Sequence, residues 1–430
     1  MTNKRKKVSL SRSVALDLLN LILVKKQTLD QAIFTCRNFD SLTASDKGFS
    51  RLLTVTVIRR VGQLDNVIQY FFKTGMPKNA RGFKNILRLA SAEILFLDGK
   101  PHAAVDSAVT LVEVKKLPHL KGLTNAILRR LVDEGGKILK SAPVRLNYPK
   151  WLIDSWTTSY GTEIAEKIFL MCVQEPKLDI SVKSKHNSWA EKLGGKVLRT
   201  GSIRRKFSGR IENLPGYDEG AWWVQDAGAT LPVQLFGDLK GADVLDVCAA
   251  PGGKTAQLLS AGANATAIDI SAKRLGLLRQ NLDRLELRAE LIQADIKKWS
   301  TSKLFDFILV DAPCSATGTI RRNPDILILK TDADVEKLRL LQTEILKSVS
   351  RLVKPGGTLV YCTCSLQYEE GEYLIDELVK KNIIKIDKID EKEISDYPRE
   401  IINKGLIRTL PYMYNGGMDG FFIARIKKAR

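Results

Sequence analysis

Asp243-Val244-Leu245-Asp246-Val247-Cys248-Ala249-Ala250-Pro251-Gly252-Gly253-Lys254-Thr255 reads as a buried strand that runs into a glycine-rich turn and then a helix. A turn of this kind lets the backbone crowd against a nucleotide-like cofactor, because glycine has no Cβ to hold the ligand away. The next strand, Ala265 to Ile270, carries Asp269 near its end, 23 residues after Asp246, where an acid can accept hydrogen bonds from ribose hydroxyls. Outward from there, strand-like runs stand at Ala289 to Ala294, Phe305 to Val310, Thr358 to Cys364, Ile383 to Ile389 and Gly420 to Ile426. Helical stretches such as Lys273 to Leu285 and Val335 to Leu352 separate most of them. This alternation predicts a Rossmann-like α/β sheet of seven mostly parallel strands, the last inserted antiparallel. Ligands of such sheets collect at the carboxyl ends of the strands. The glycine-rich turn stands there, as do Asp311-Ala312-Pro313-Cys314 and, fifty positions beyond, Thr363-Cys364-Ser365.

The turn lacks the dinucleotide spacing G-x-G-x-x-G and comes close to a P-loop, with Gly253-Lys254-Thr255 in register but Cys248 where the first glycine belongs. Val310-Asp311 even resembles the acidic end of a Walker B strand, so a P-loop ATPase has to be weighed. Pro251 stiffens the turn where a phosphate cradle wants free amides, and Asp269 suits a ribose. S-adenosylmethionine, which has no phosphate, fits better. Asp295, ending the third strand, would then lie near the adenine amino group.

The chain has 430 residues, 44% of them hydrophobic, enough for more than one core, and a formal charge of +20. Residues 1–140 hold 25 Lys and Arg against 11 Asp and Glu, residues 141–220 hold 13 against 9, and residues 221–430 hold 30 against 28. The excess positive charge therefore lies in the front half, as expected if that half grips a polyanion while the rear does chemistry. The six cysteines show no disulfide framework, and the three histidines stand at no metal-ligand spacing from them. Reduced thiols, a cytoplasmic location and no metal are the expectation. The basic start Met1 to Lys7 leads into a broken amphipathic pattern rather than a signal peptide's apolar core, and no run is long enough to span a bilayer.

Three domains are expected: a helical one at 1–140, a small α/β linker at 141–220 and the α/β sheet at 221–430. In the first, Leu18, Leu19, Ile22 and Leu23, then Phe49, Leu52, Leu53, Val57, Leu64 and Ile68, recur at helical spacing. Helix starts are read at Thr43 to Asp46, after Pro101 and near Leu120 to Thr124. Arg59, Arg60, Arg88, Arg129 and Arg130 are either solvated helix faces or RNA contacts. In the second, Pro149-Lys150-Trp151 opens a helix, Leu178 to Val182 alternates like a strand, and Gly194-Gly195 turns. Trp151, Trp156 and Trp189 could stack on bases or be buried, and Lys196, Arg199, Arg204, Arg205, Lys206 and Arg210 favour phosphate contact.

The region from Val224 to Arg430 resembles the Nol1/Nop2/Sun family of RNA cytosine-5 methyltransferases. The resemblance rests on Val224 to Ala227, the loop Cys248 to Lys254, Asp269, Asp295, Asp311 to Cys314, Ser315 to Gly318, Arg321 to Asp325, and Thr363 to Ser365. It implies that Cys248, Ala249, Ala250, Pro251, Gly252, Gly253, Lys254, Asp269, Asp295 and Asp311 bind S-adenosylmethionine. The helical front, with Ala103 to Val105 and Gly122 to Arg130, looks like the NusB-type RNA-binding domain that a bacterial branch of the family carries. That branch implies ribosomal RNA, specifically small-subunit RNA, as substrate, and a monomer. Asn323, Tyr368, Gly371 and Gly228 depart from the family's usual residues, none at a catalytic position.

Elementary reactivity leads to the same chemistry. Cytosine C5 is too weak a nucleophile to take a methyl group directly, so a thiolate must add to C6 first and push electron density onto C5. Cys364 is the expected nucleophile, Asp311 the group that hydrogen-bonds the base near N3 and its amine, and Cys314 the helper of the closing elimination, as a base or by ordering a water. Cys362 and Cys248 carry no expected catalytic role. A stacked cytosine cannot present C6, so the base must be unpaired or flipped out. A non-catalytic RNA-binding assembly factor is the alternative from another class.

Overall fold

A computed structural model describes residues 9–428 apart from 73–74, 78–81, 98, 207–208 and 395–398; the basic start Met1 to Lys7 lies outside the described residues. The chain forms two compact units, Met1–Val173 with Asn323–Lys330, and Gln174–Arg322 with Thr331–Arg430.

The first unit is helical, with helices at Leu10–Leu23, Leu29–Thr35, Ala44–Arg59, Val61–Tyr70, Phe83–Phe96, Pro101–Val114, Lys121–Ser141, Lys150–Tyr160 and Thr162–Cys172. Their starts follow local chemistry. Thr28 and Gln31 form a reciprocal capping box, the Thr43 hydroxyl accepts from the Asp46 N–H, and Pro101 takes the first helical position, where no N–H is needed. Leu18, Leu19, Ile22, Leu53, Val57, Leu64 and Ile68 build the core with Ile86, Leu128 and Leu131, whereas Leu52 points outward.

Several cations read as possible RNA contacts are internal ties instead. Arg59 is buried, Arg88 grips both Asp65 oxygens at 2.7 Å, and Arg60 donates to the Val173 carbonyl at 3.2 Å from over the Phe96 ring. Trp156 is likewise buried against Tyr148 and Phe169, which excludes it from base stacking. The inserted segment Asn323–Lys330 packs Ile328 on the helical core, and its Asp325 carboxylate accepts the Leu29 N–H at 3.1 Å. That N–H is one of the orphan donors of a helix start.

The second unit opens with a small antiparallel sheet of β1 (Leu178–Val182), β2 (Lys196–Val197), β3 (Ile203–Arg205) and β4 (Trp222–Val224), in the order β2-β3-β1-β4. Arg204, read as a phosphate contact, instead forms a two-point pair with Asp179 at 2.7 and 2.6 Å and donates to the Asn415 carbonyl. Arg284, at the end of the helix Ala272–Arg284, reaches back to this sheet and donates to the carbonyls of Tyr217 at 2.7 Å and Trp222 at 3.1 Å.

The large sheet comprises β5 (Asp243–Val247), β6 (Asn264–Asp269), β7 (Glu290–Gln293), β8 (Phe305–Asp311), β9 (Val353–Thr363), β10 (Ile384–Ile386), β11 (Ile402–Asn403), β12 (Leu406–Arg408) and β13 (Phe422–Lys428). Its order is β11-β12-β13-β9-β8-β5-β6-β7, with β10 also on β13. The seven expected strands are all present, and β13 lies antiparallel to β9, as expected. The hairpin of β11 and β12 is additional; strands of two and three residues are too short to leave a periodic signal. Leu245, Val247, Ile308, Val310, Leu359 and Tyr361 pack on one face and Val244, Leu309, Val360, Cys362 and Ile423 on the other, the alternation that a sheet covered on both sides requires.

Candidate active site

Parallel pairing of β5 with β8 (Val247 beside Val310) and of β8 with β9 (Asp311 beside Cys362) brings the three motifs to one edge of the sheet. On the cofactor side the chain leaves β5 through Cys248 at φ 61° and turns at Gly252, φ 103°, into the helix Gly253–Ser260. A Cβ on Gly252 would lie 2.9 Å from Leu278 Cγ, so only glycine lets the turn sit this close to the next helix. Asp269 is buried at the end of β6 and accepts from the N–H groups of Ala250 at 3.3 Å and Ser271 at 3.0 Å, which locks the acid beside the turn. Asp295 accepts from the Lys297 N–H at 3.1 Å after β7.

Asp246 accepts the Thr255 hydroxyl at 2.6 Å through Oδ2, while its buried Oδ1 has no hydrogen-bond partner. Burial, partly offset by that hydroxyl, pushes its carboxyl up to about 7. An orphaned carboxylate oxygen beside Asp269 and near Asp311 belongs to a set of acceptors that complements a cationic sulfonium cofactor with an ammonium group. A triphosphate would be repelled by the same carboxylates.

Lys254, the residue that would cradle phosphate in a P-loop, is nearly buried and pairs with Asp311 Oδ2 at 2.7 Å. Burial opposes its charge, but Asp311 together with Cys362 and Cys364 more than offsets that and holds the ammonium pKa above its ordinary value. The other Asp311 oxygen lies 3.6 Å from Cys362 Sγ, so Cys362, fully buried and expected to stand apart from the chemistry, touches the site. Burial raises the Cys362 thiol well above its usual range and pushes Cys248 up to about 12, which makes both poor nucleophiles.

Cys314 and Cys364 stand with their sulfurs 3.4 Å apart. The hydrogen bond with Cys364, followed by burial, holds the Cys314 pKa well above the ordinary thiol value. Two thiolates this close would repel each other, so the pair is not ionised on both sulfurs at once.

The loops beneath them are packed without room. The Gly318 N–H donates to the Cys364 carbonyl at 3.0 Å and the Gly420 N–H to the Gly318 carbonyl at 2.9 Å. A Cβ on Gly318 would fall 1.9 Å from the Gly420 carbonyl oxygen. Arg321, fully buried, donates to Asp226 at 2.8 Å and to the Gly416 carbonyl at 3.0 Å, and Arg322 pairs with the buried Asp419. Both arginines of the substrate-side string are therefore framework ties within this unit. Gly228 suits the same crowding, since a Cβ there would meet the Asp419 carbonyl at 2.7 Å.

Sequence reading passed over Glu370, Gln342, Arg408 and Asp419, which the structure buries around the cysteine loops. Glu370 stands five residues after Ser365 in an acidic stretch, Glu369-Glu370, that reads as solvated surface.

A family model described as "16S rRNA methyltransferase RsmB/F" matches residues 236–427, and one described as "NusB family" matches residues 9–133. The ribosomal RNA small subunit methyltransferase B of Salmonella arizonae is 31% identical over 441 residues, covering 98% of this chain and all of its own length. Among solved structures, PH0851 aligns with a TM-score of 0.76 at 22% identity over 99% of this chain and 100% of its own. NSun6 from Pyrococcus horikoshii, solved with SFG, aligns with a TM-score of 0.55 at 22% identity over 66% of this chain and 98% of its own.

Proposed function

Because this chain belongs to the 16S rRNA methyltransferase RsmB/F family, we propose that it methylates C5 of a cytosine in small-subunit ribosomal RNA through a covalent bond between Cys364 and C6. It is a methyltransferase that depends on S-adenosylmethionine, which when bound supplies an electrophilic methyl group. The observation that carries the residue assignments is the meeting of Cys314, Cys364 and the Lys254–Asp311 pair at adjoining strand ends.

Cys364 adds to C6, and the electron pair pushed toward C5 makes that carbon nucleophilic. Asp311, oriented by Lys254, accepts from the exocyclic amine beside N3 and so holds the ring in place for attack. Once C5 carries the methyl group, its proton leaves and the Cys364–C6 bond breaks, restoring the ring and the free sulfur. A water takes that proton, and Cys314, 3.4 Å from Cys364 and held protonated, is the group at hand to order it. The cofactor rests against Cys248 to Lys254, with Asp269 toward the ribose and Asp295 toward the adenine.

The helical front and the small sheet, at 1–140 and 141–220, are proposed to hold the RNA around a flipped base. Residues 1–173 support this with 28 Lys and Arg against 14 Asp and Glu. Action as a monomer in the cytoplasm completes the proposal. The six free cysteines suit a reducing compartment, and among the described residues no helix is long and apolar enough to cross a membrane.

The two cysteines should fail in opposite ways. Cys364→Ala should abolish methylation and leave no covalent species, whereas Cys314→Ala should attack and then stall as protein bound to methylated RNA. A denaturant-resistant, nuclease-sensitive gel shift with ribosomal RNA and S-adenosylmethionine reads the difference. An adduct with Cys364→Ala, or normal turnover with Cys314→Ala, would refute these roles.

A further inference from the structure

Beneath the two sulfurs lies a carboxylate that the reaction itself does not use. Glu370 is fully buried and so out of reach of any substrate. One of its oxygens accepts from the Ser315 N–H at 2.8 Å and the Gln342 amide at 3.0 Å. The other takes the Ser365 hydroxyl at 2.5 Å and the Ser315 hydroxyl. Ser315 follows Cys314 and Ser365 follows Cys364, so one side chain grips the residue next to each thiol. Gln342 in turn donates to the Pro313 carbonyl at 2.9 Å, on the other side of Cys314. The Glu370 carbonyl accepts from the Tyr361 hydroxyl at 2.9 Å and the Thr363 hydroxyl at 3.3 Å, which anchors the same residue to β9 just before Cys364.

Each of these side-chain partners is a neutral donor, and no ion pair to Glu370 is found among the described residues. A buried carboxylate costs a great deal of solvation, and satisfying it here takes donors from both cysteine loops at once. Burial accordingly raises its pKa, and its charge is among the influences that keep Cys314 protonated.

We propose that Glu370 is the positioning residue that sets Cys314 and Cys364 in register, by clamping together the serines that follow them. This rests on the assignment of the two cysteines above. It gives the active site a charged tie between the nucleophile and its helper, one removed from the reacting atoms, beside the Ser315–Ser365 hydroxyl contact at 3.0 Å and the Gly318–Cys364 backbone bond.

The test uses the full-length chain with ribosomal RNA. Glu370→Gln keeps the shape but has one accepting oxygen where Glu370 has two, so it cannot take the two hydroxyls together with the Ser315 N–H and the Gln342 amide, and kcat should fall by about tenfold or more while the RNA KM and the S-adenosylmethionine Kd stay within about twofold. Ser315→Ala and Ser365→Ala, which remove one hydroxyl arm each, should each lose part of that rate. Adding Ser365→Ala to Glu370→Gln should cost little more, because both changes cut the same tie. If Glu370→Gln does not fold, the serine variants carry the test alone.

Folded variants with kcat within about twofold of the parent, or losses in which kcat, KM and cofactor affinity move together, would overturn the clamp. Cys364→Ala run in parallel separates the two levels. Activity surviving in Cys364→Ala defeats the cysteine assignment, whereas a dead Cys364→Ala beside a fully active Glu370→Gln defeats only the clamp.

Discussion

Single carboxylates in this site differ in how many donors reach them. Asp269 is held by two backbone amides, which fixes it beside the glycine-rich turn with capacity left for ribose hydroxyls. Asp269→Ala should therefore weaken S-adenosylmethionine binding by about 1 to 3 kcal/mol, since ribose donors would lose a charged acceptor. Unchanged affinity by calorimetry would remove it from the site. Asp246 is the opposite case, buried with one oxygen unpartnered and its carboxyl pushed up to about 7. Its folded pKa exceeds the unfolded value of about 4, so the folded state binds the proton more tightly. The stability this confers is complete below about pH 4 and is lost as pH rises through about 7. Denaturant midpoints of the cofactor-free protein should fall across that window, and Asp246→Asn should flatten the fall; an unaltered slope in the variant would exclude Asp246 as its source.

At the scale of elements, the loops after β8 and β9 and the turn before β13 also meet through backbone. Gly318 sits between the Cys364 carbonyl and the Gly420 carbonyl, with 2.9 and 1.9 Å left for a Cβ. Gly318→Ala should cost about 1 to 3 kcal/mol of stability through overpacking and lower kcat by displacing the Cys364 loop. Thermal unfolding and turnover together would show it, and an alanine variant as stable and active as the parent would mean that these loops yield freely. Strand and helix identities were legible because period-2 and period-3.6 patterns are local. The β11–β12 hairpin was not, being too short to show a period. The roles of Arg88, Arg204 and Arg321 were also hidden, since a cation's partner across the fold leaves no mark on its own neighbourhood.

For the whole molecule, compaction and function divide the chain at different places. Residues 174–430 form the second unit together, apart from the inserted Asn323–Lys330, and Arg284 bonds across the boundary that composition had placed near residue 220. A fragment 174–430 should accordingly fold and bind S-adenosylmethionine more reliably than one starting at 221. It carries 40 Lys and Arg against 34 Asp and Glu, and should bind ribosomal RNA more weakly and with a shallower salt dependence than the full chain. Equal affinities and equal salt slopes would end the division of labour between the two ends of the chain. The sequence by itself determined the α/β sheet, the helical front and the cofactor class and singled out Cys314 and Cys364, because each is written in contiguous residues whose spacing reports local geometry. Only the tertiary structure decided that Lys254 serves Asp311, that Arg321 is a buried tie and that Arg322 pairs with the buried Asp419. It alone placed Glu370 beneath both thiols. Those facts depend on which residues far apart in the chain share a low-dielectric interior, where every buried charge or donor must find its partner.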